Sequence, residues 1–323
     1  MRAVIVETPG EVDALTFGEV PTPTPGPGEI LVKTVASGVN RADVLQRQGH
    51  YPPPKGITDI LGLEASGVVA AVGQDVERWH VGDEVVALLA GGGYAEFFVV
   101  PEGQAIAPPA SVDLVTAAGL LEVAATVVSN LEAADLHAGE TILVHGGAGG
   151  VGTFATQYAK SLGARVIATA GSQAKLEHCL AHGADVVLDY NDDWAEGVKE
   201  ATRGEGVDVI LDIIGAKYLE RNVKSLAKRG RLVVIGLQGG VKGTLNLGLL
   251  LAKQGTITAT SLRFRPAREK AAICKVVEES VWPLIDDGTI RPAPETQVPF
   301  DDVRRAHEQL IGGDNVGKIV LVH

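Results

Sequence analysis

Residues 145–152 read His145-Gly146-Gly147-Ala148-Gly149-Gly150-Val151-Gly152, and this stretch decides the fold of the chain. The segment that leads into it, residues 141–145, reads TILVH and is rich in strand-forming residues. Apolar residues then recur at helical spacing: Val151, Phe154, Ala155, Tyr158, Ala159 and Leu162. The stretch is therefore predicted to be a tight turn between a strand and a helix.

Three glycines of this turn, Gly147, Gly149 and Gly152, stand in the register G-x-G-x-x-G. We expect the first to adopt a backbone conformation closed to residues with a Cβ atom. We expect the second to let the chain approach a pyrophosphate, and the third to let the helix pack on the strand. The N–H groups at the start of the helix would then bind phosphate oxygens, helped by the helix dipole. Such a turn can also be purely structural, but the flanking strand and helix favour dinucleotide binding.

Length and composition indicate an ordinary α/β protein. The 323 residues suffice for two domains, and the chain is 46% hydrophobic but only 4% aromatic. No apolar run approaches the length of a membrane span, so we expect neither a signal peptide nor an anchor. Cys179 and Cys274 lie far apart without a C-x-x-C motif, which suggests no zinc lobe, no disulfide framework and a cytoplasmic setting. The net charge of −12 argues against a general affinity for nucleic acid or anionic membranes.

The first 120 residues read as short strands broken by turn residues, which predicts a small barrel or a strongly bent sheet. One stretch interrupts this pattern. A short helix is predicted to follow Asn40 at its N-cap and to end at Gly49. Asp43 stands three residues after Asn40 and is interpreted as a capping residue. Tyr51 precedes three prolines, a stiff extended segment, so its side chain is expected on a surface loop and is more typical of a site rim than of a catalyst.

From residue 141 onward short apolar strands alternate with helices. Strands are predicted over residues 141–145, 165–169, 185–188, 207–212, 231–236 and 256–260, with helices over 172–182, 194–202 and 218–227. This alternation indicates a parallel sheet covered on both faces, with a ligand across the carboxyl ends of the strands. Outside this region, helices are predicted over 117–131 and 271–287, and a closing strand over 316–322.

The coenzyme can be inferred from the end of the second strand, where the chain reads Thr169-Ala170-Gly171-Ser172-Gln173-Ala174-Lys175. An NAD site usually has an acidic residue there to bind the ribose hydroxyls. None is present, whereas Ser172 and Lys175 could bind a 2′-phosphate through charge-assisted hydrogen bonds. We therefore predict NADPH. The alternative is that Ser172 only caps the next helix and Lys175 is solvated.

Other reactive residue types near the turn are interpreted as structural. Cys179 lies on the apolar side of its helix and is assigned to the core. His145, His178 and His182 have no acidic or cysteine partner at ligand spacing in the sequence.

Further motifs follow one another along essentially the whole chain: VNRAD at 39–43, Tyr51, LGLEASG at 61–67, GDEV at 82–85, GYAE at 93–96, VVP at 99–101, TAGS at 169–172 and NVGKIV at 315–320. With the glycine turn, they resemble the medium-chain dehydrogenase/reductases, and within these the zinc-free quinone oxidoreductases. The segment from Asn40 to Tyr51 is similar to that of the p53-inducible quinone oxidoreductase type.

The resemblance implies an α/β fold with a GroES-like β-barrel catalytic domain (1–120), a doubly wound Rossmann parallel sheet that binds NADPH (121–262) and a C-terminal return to the catalytic domain (263–323). It assigns Tyr51 and Asn40 to catalysis, with Asn40 also in the nicotinamide pocket. The implied cofactor-binding residues are Thr126, Gly147, Gly149, Gly150, Val151, Gly152, Gly171, Ser172, Lys175, Tyr190, Gly236, Leu262, Asn315 and Lys318. Of these, Thr126, Gly236 and Leu262 belong to the nicotinamide pocket, and Ser172, Lys175, Tyr190, Asn315 and Lys318 to the phosphate side.

Zinc alcohol dehydrogenases of the same superfamily have a cysteine within the segment that reads Ser37-Gly38-Val39-Asn40 here, and a histidine where this chain has Leu63. No metal ligands are therefore expected, and hydride must go to an acceptor that is already electrophilic. The favoured interpretation is a cytoplasmic NADPH-dependent quinone reductase, a homodimer by resemblance, that acts on a small hydrophobic quinone or conjugated carbonyl. An enoyl or alkenal reductase and a nucleotide-binding protein with little turnover remain alternatives.

Overall fold

A computed structural model describes residues 1–313 and 315–323 and divides them into two compact units. Unit 1 comprises Met1–Ala125, Leu262–Gly288 and Pro294–His323, and unit 2 comprises Thr126–Ser261 and Thr289–Ala293. The strands are β1 (Arg2–Ile5), β2 (Thr16–Glu19), β3 (Glu29–Val39), β4 (Glu64–Val72), β5 (Glu84–Leu88), β6 (Phe97–Pro101), β7 (Ala105–Ile106), β8 (Thr141–Val144), β9 (Arg165–Ala170), β10 (Val186–Asp189), β11 (Val207–Asp212), β12 (Leu226–Val234), β13 (Thr256–Ala259), β14 (Glu295–Pro299) and β15 (Lys318–Val322). The helices are α1 (Arg41–Arg47), α2 (Leu114–Ala117), α3 (Leu121–Ala133), α4 (Gly150–Ser161), α5 (Gln173–Ala181), α6 (Trp194–Ala201), α7 (Leu219–Ser225), α8 (Leu247–Lys253), α9 (Ala267–Val276), α10 (Trp282–Asp286) and α11 (Val303–Gly312).

Unit 1 is built on a seven-stranded sheet with the order β14-β15-β3-β4-β5-β7, in which β6 also pairs with β3. All its pairings are antiparallel except that of β14 with β15. The long strand β3 pairs with β6 near its start and with β15 near its end, and register shifts against β4 bend it. One apolar cluster packs around Val39 and Tyr94, and another around Val32 and Phe98. This confirms the bent, barrel-like sheet predicted from the sequence.

Unit 2 is a six-stranded sheet with the order β10-β9-β8-β11-β12-β13, and every pairing is parallel. The order reverses between β8 and β11, so the glycine turn after β8 lies at the topological switch point. Leu143, Ile167, Ile210 and Leu232, from four different strands, form the core with Trp194 of α6. The predicted doubly wound parallel sheet is confirmed.

Some boundaries differ from the sequence prediction. The helix predicted over 117–131 is broken between α2 and α3, where Gly119 lies so close to Lys318 that a Cβ atom would be 2.7 Å from its Cγ. The helix predicted over 218–227 ends at Ser225, because Leu226 already pairs with Val207 in the sheet. The division between units falls after Ala125, within α3, whereas the sequence prediction has it at residue 120. Among the described residues, no helix combines the length and apolar character that a membrane crossing needs.

The glycine turn differs from expectation at its first position. Gly146, with φ of +70°, adopts the left-handed conformation, so the expectation for Gly147 was wrong. Gly147 is needed for space instead, because an added Cβ would lie 2.8 Å from the Cys179 sulfur. At Gly152 an added Cβ would collide with the Gly146 carbonyl, whereas at Gly149 the nearest atom would be 3.7 Å away. Cys179 is buried, which raises its pKa to about 11 and confirms its assignment to the core.

These contacts predict that two alanine substitutions in the glycine turn lower the free energy of unfolding by different amounts. Gly152→Ala should lower the free energy of unfolding by about 3 kcal/mol, because the methyl group meets fixed backbone atoms. Gly149→Ala, which enters open space at an N-cap, should cost no more than about 1 kcal/mol. Urea unfolding followed by circular dichroism measures both, and equal losses would contradict the packing argument.

Candidate functional site

In unit 2 the glycine turn offers backbone N–H groups with no side chains around them. Gly149 is the N-cap of α4, so the N–H groups of Gly150, Val151 and Gly152 have no acceptor within the helix. The positive end of the helix dipole favours a negative charge at the same place. Because the space beside Gly149 is open, the turn fits the pyrophosphate of a dinucleotide.

The residues predicted to recognise a 2′-phosphate come together at the carboxyl end of β9. Gly171 lies against the ring of Tyr190, since an added Cβ would be 2.5 Å from its Cε2. Ser172 is the exposed N-cap residue of α5, and its hydroxyl makes no capping hydrogen bond. Lys175 lies in the first turn of the same helix. With no carboxylate between residues 169 and 172, this corner fits a phosphate better than a pair of ribose hydroxyls.

The histidines near the turn have structural partners. Nδ1 of the buried His145 lies 3.1 Å from the Thr169 hydroxyl, and its Nε2 lies 2.8 Å from Oδ1 of Asn222. Burial lowers the pKa of His145 to about 4, so the ring is neutral at pH 7. His178 and His182 face each other with ring centroids 4.0 Å apart. These contacts confirm the structural interpretation.

In unit 1 the predicted cap of α1 is confirmed. The backbone N–H of Asn40 donates to Oδ2 of Asp43 over 2.8 Å, and the Asn40 side chain caps the first turn in return. Asp43 also accepts hydrogen bonds from the Gly62 N–H and from the Tyr94 hydroxyl, at 3.2 and 3.1 Å. Burial raises the pKa of the Asp43 carboxyl to about 6. Asp43 therefore holds α1 in place, as its capping role requires.

The Asn40 side-chain amide is fixed at both ends by buried charged groups. Its Nδ2 donates to Oε1 of Glu64 over 3.1 Å, and its Oδ1 accepts from the Lys318 ammonium over 2.7 Å. Lys318 also forms an ion pair with Glu64 at 2.5 Å, and the other carboxylate oxygen accepts from the Glu122 N–H over 2.9 Å. Glu64 is 1% exposed and Lys318 8%. Lys318 is thus engaged with Asn40 and Glu64, and its phosphate-side assignment stays a prediction.

The half-buried Tyr51 lies among residues that sequence reasoning missed. Arg263 donates from Nη1 to the Tyr51 carbonyl over 3.1 Å, and its guanidinium carbon lies 5.2 Å from the centre of the Tyr51 ring. Phe264 meets the same ring edge-on at 5.4 Å. The loop that follows Leu262 therefore fixes the tyrosine ring. Nothing in the local sequence indicates this pairing, because Tyr51 and Arg263 are far apart along the chain.

The remaining predicted residues are distributed over the two units. Thr126 lies in α3 and Gly236 follows β12, both in unit 2. Leu262 and Asn315 belong to unit 1. Their assignments to the coenzyme remain predictions.

The residues of unit 1 do not fit a zinc ion. The residue before Glu64 is the buried Leu63, and the Lys318 ammonium occupies the place beside the carboxylate. Within residues 1–313 and 315–323, no group of three or more His, Cys, Asp or Glu side chains could hold a metal ion. Protein zinc sites take three or four ligands from Cys, His, Asp and Glu side chains, and of the cluster of Asn40, Glu64 and Lys318 only Glu64 is of these types.

Comparison with known proteins gives concordant results. The chain matches a family model for the alcohol dehydrogenase GroES-like domain over residues 26–110 and one for a zinc-binding dehydrogenase over residues 150–278. It is 33% identical to a quinone oxidoreductase of Pseudomonas aeruginosa, and the match covers 97% of both chains. The crystal structure of Escherichia coli quinone oxidoreductase complexed with NADPH superposes with a TM-score of 0.91, at 32% identity and over 100% of both chains. A phenolphthiocerol/phthiocerol polyketide synthase protein of Mycobacterium tuberculosis is 31% identical over 98% of this chain, which spans 14% of that protein.

The buried pair in unit 1 leads to a prediction about stability. Lys318→Met should lower the free energy of unfolding by about 3–5 kcal/mol, because it leaves the Glu64 carboxylate buried without its counter-charge. The double variant Glu64→Gln/Lys318→Met has neither charge of this pair and should recover most of this loss. Lys199→Met, which breaks an exposed ion pair with Glu196, should change the free energy by less than about 1 kcal/mol. Urea unfolding of the wild type and the three variants measures these free energies. A double variant as unstable as Lys318→Met would contradict the proposed role of the buried ion pair.

Proposed function

The chain belongs to the quinone oxidoreductases of the medium-chain dehydrogenase/reductase family, and on this premise we propose that it transfers hydride from NADPH to a quinone without a metal ion. The observation that carries the proposal lies in unit 2. The glycine-rich turn, open beside Gly149, is followed at the end of the next strand by Ser172 and Lys175 where NAD enzymes have an acid. When bound, NADPH supplies the hydride.

Each part of unit 2 binds one part of the coenzyme in this proposal. The N–H groups of Gly150, Val151 and Gly152 donate to the pyrophosphate at the start of α4. Ser172 and Lys175 bind the 2′-phosphate, which an acidic residue would repel. Tyr190, whose ring packs on Gly171, borders the same corner.

Tyr51 is proposed to donate a hydrogen bond to the substrate oxygen that gains negative charge as hydride arrives. A polar donor aimed at that oxygen stabilises the transition state more than the ground state. Arg263 and Phe264 hold the tyrosine ring, so the phenol needs little reorganisation. Asn40, with both ends of its amide fixed, is proposed to act in the same reaction.

The acceptor must be electrophilic on its own, since the residues around Glu64 do not fit a Lewis-acidic ion. A quinone meets this condition, and so does a conjugated carbonyl. The match to part of a polyketide synthase keeps an enoyl or alkenal reductase as the second candidate.

We also propose a cytoplasmic homodimer. Strand β13 is the last in the order of its sheet, so one side of its backbone is open to pairing with a second copy. Leu247 and Leu251 of α8, just before it in sequence, are 68% and 79% exposed. Both cysteines are buried free thiols, in keeping with a reducing compartment.

An acceptor screen tests the proposed function. The purified protein, supplied with NADPH or NADH, is given 1,2-naphthoquinone, 1,4-benzoquinone or a 2-alkenal while the absorbance of the reduced coenzyme is followed. We expect turnover with the quinones and a higher kcat/KM with NADPH than with NADH. A preference for the alkenal would indicate the second candidate function. Tight coenzyme binding without oxidation would indicate a nucleotide-binding protein, and higher kcat/KM with NADH would refute the coenzyme assignment.

The role of Tyr51 predicts a specific kinetic effect. Tyr51→Phe should lower kcat by about 100-fold, because it removes one donor from the developing oxyanion, and should leave NADPH affinity unchanged. Tyr158→Phe, a change in α4 of unit 2, is the matched control and should leave kcat unaltered. Unchanged turnover in Tyr51→Phe would leave Tyr51 as a rim residue only.

A further inference from the structure

Unit 1 contains a cavity of about 740 Å³ whose lining includes Arg263 and Phe264, the two residues that hold Tyr51, but neither Tyr51 nor Asn40. Its walls include residues 54–60, 88–92, 263–265 and 267, together with strand β6 and Lys270 of α9. Much of the lining is apolar, including Ile57, Leu88, Val99 and Phe264. The cavity is large enough for a small organic molecule.

One of two buried cations on this wall is Arg263, which is 4% exposed. Its guanidinium donates to the Ala90 carbonyl at 2.7 Å, the Tyr51 carbonyl at 3.1 Å and Oε1 of Gln46 at 2.7 Å. All three acceptors are neutral. Among the described residues no carboxylate forms an ion pair with Arg263, and Asp43 acts on it only from beyond ion-pair distance.

The second cation is Lys270, which is 7% exposed and also lines the cavity. It makes no hydrogen bond or ion pair with any residue that the structure describes. Burial and the nearby Arg263 lower its pKa, while Cys274 is a neutral thiol whose pKa is raised to about 12 by burial. A buried ammonium without a partner is costly. Groups perturbed in this way cluster at functional sites, and a cation that lines a cavity can pair there with an anionic ligand.

The backbone adds positive character at the same place. Lys270 lies in the first turn of the ten-residue helix α9, whose N-cap is Pro266 and which has no side-chain cap. The N–H groups of Ala267 and Arg268 therefore lack an acceptor within the helix. The helix dipole disfavours a cation in this turn and favours an anion.

Other charged groups on the cavity wall do not neutralise Lys270. The Glu29 carboxylate accepts a hydrogen bond from a backbone N–H. Asp59 and Lys55 are exposed to water, which screens their charges. Arg265 pairs with Glu269 at 3.9 Å. The end of the cavity beside Lys270 is therefore positive.

We propose that this cavity binds the electron acceptor and that Lys270 recognises a carboxylate on it. The preferred acceptor is then an apolar quinone with a carboxylate side chain, its apolar body against Ile57, Leu88 and Phe264 and its carboxylate at Lys270 and the start of α9. The inference rests on the proposed function, because Arg263 and Phe264 of the cavity wall are the residues that hold Tyr51. Lys270 acts on specificity and takes no part in hydride transfer.

A matched pair of ligands tests this inference: a naphthoquinone with a carboxyalkyl side chain and its methyl ester. The alkyl spacer keeps the quinone ring electronically alike, so only the charge differs. Calorimetry measures binding of each without turnover, and initial rates with NADPH give kcat and KM. The wild-type protein should bind the acid about 10-fold more tightly than the ester, as one charge-assisted hydrogen bond would give. Lys270→Gln should abolish this preference through KM, leaving kcat and ester binding unchanged.

Two further variants control the test. Lys270→Arg keeps the charge and should retain the preference for the acid. Lys275→Gln, on the same helix but with a side chain 70% exposed, should behave as the wild type.

Equal binding of acid and ester by the wild type, or an unchanged preference in Lys270→Gln, would overturn the anion site. Reduction of both quinones with equal kcat/KM would overturn the acceptor assignment while the proposed function stands. Failure to reduce either quinone would instead refute the proposed function, and binding alone would then decide whether the Lys270 site exists.

Discussion

A single buried carboxylate, that of Glu64, joins the parts of unit 1 on which its site depends. It pairs with Lys318 of β15, accepts the N–H of Glu122 at the start of α3 and accepts from the Asn40 amide before α1. An unpaired carboxylate at this depth would be costly, so the three elements are held to it. Gly38 has no side chain because the Glu64 carboxylate fills the space beside it. The same pairing places the Lys318 ammonium beside the carboxylate, which is the basis for proposing an acceptor that needs no Lewis acid.

The glycine turn imposes the corresponding constraint on unit 2. Gly152 permits close packing of α4 against the turn, and Gly149 leaves the face of the turn open. Close packing and the open face proposed to bind the coenzyme therefore come from different glycines of one motif. The residues proposed to distinguish the phosphorylated coenzyme lie at the end of the neighbouring strand β9, because parallel strands bring their carboxyl ends to the same edge.

Although the chain is strongly acidic overall, positive groups are placed at two particular points. One is the corner of Ser172 and Lys175 in unit 2, and the other is the cavity wall of Arg263 and Lys270 in unit 1. A negative background makes each of these points selective, since it discourages general binding of polyanions. The signal for Lys270 was present in the sequence. It stands at helical spacing with Ile273, Cys274 and Val277, so a lysine on an otherwise buried face could have been noticed.

Local sequence was enough to predict the strand-turn-helix around residue 145, the parallel alternation after it, the cap formed by Asn40 and Asp43 and the absence of an acid after β9. Each of these is encoded within a few neighbouring residues, by periodicity, by glycine or by the chemistry of a helix cap. Three features became visible only in the folded chain: Lys318 meets Glu64 and Asn40, Arg263 holds Tyr51, and Gly146 rather than Gly147 takes the left-handed conformation. The contact of Lys318 follows from the register of β15 on β3, and that of Arg263 follows from the path of a loop far from Tyr51 in the chain. Contacts between residues distant in sequence leave no local pattern from which they could be predicted.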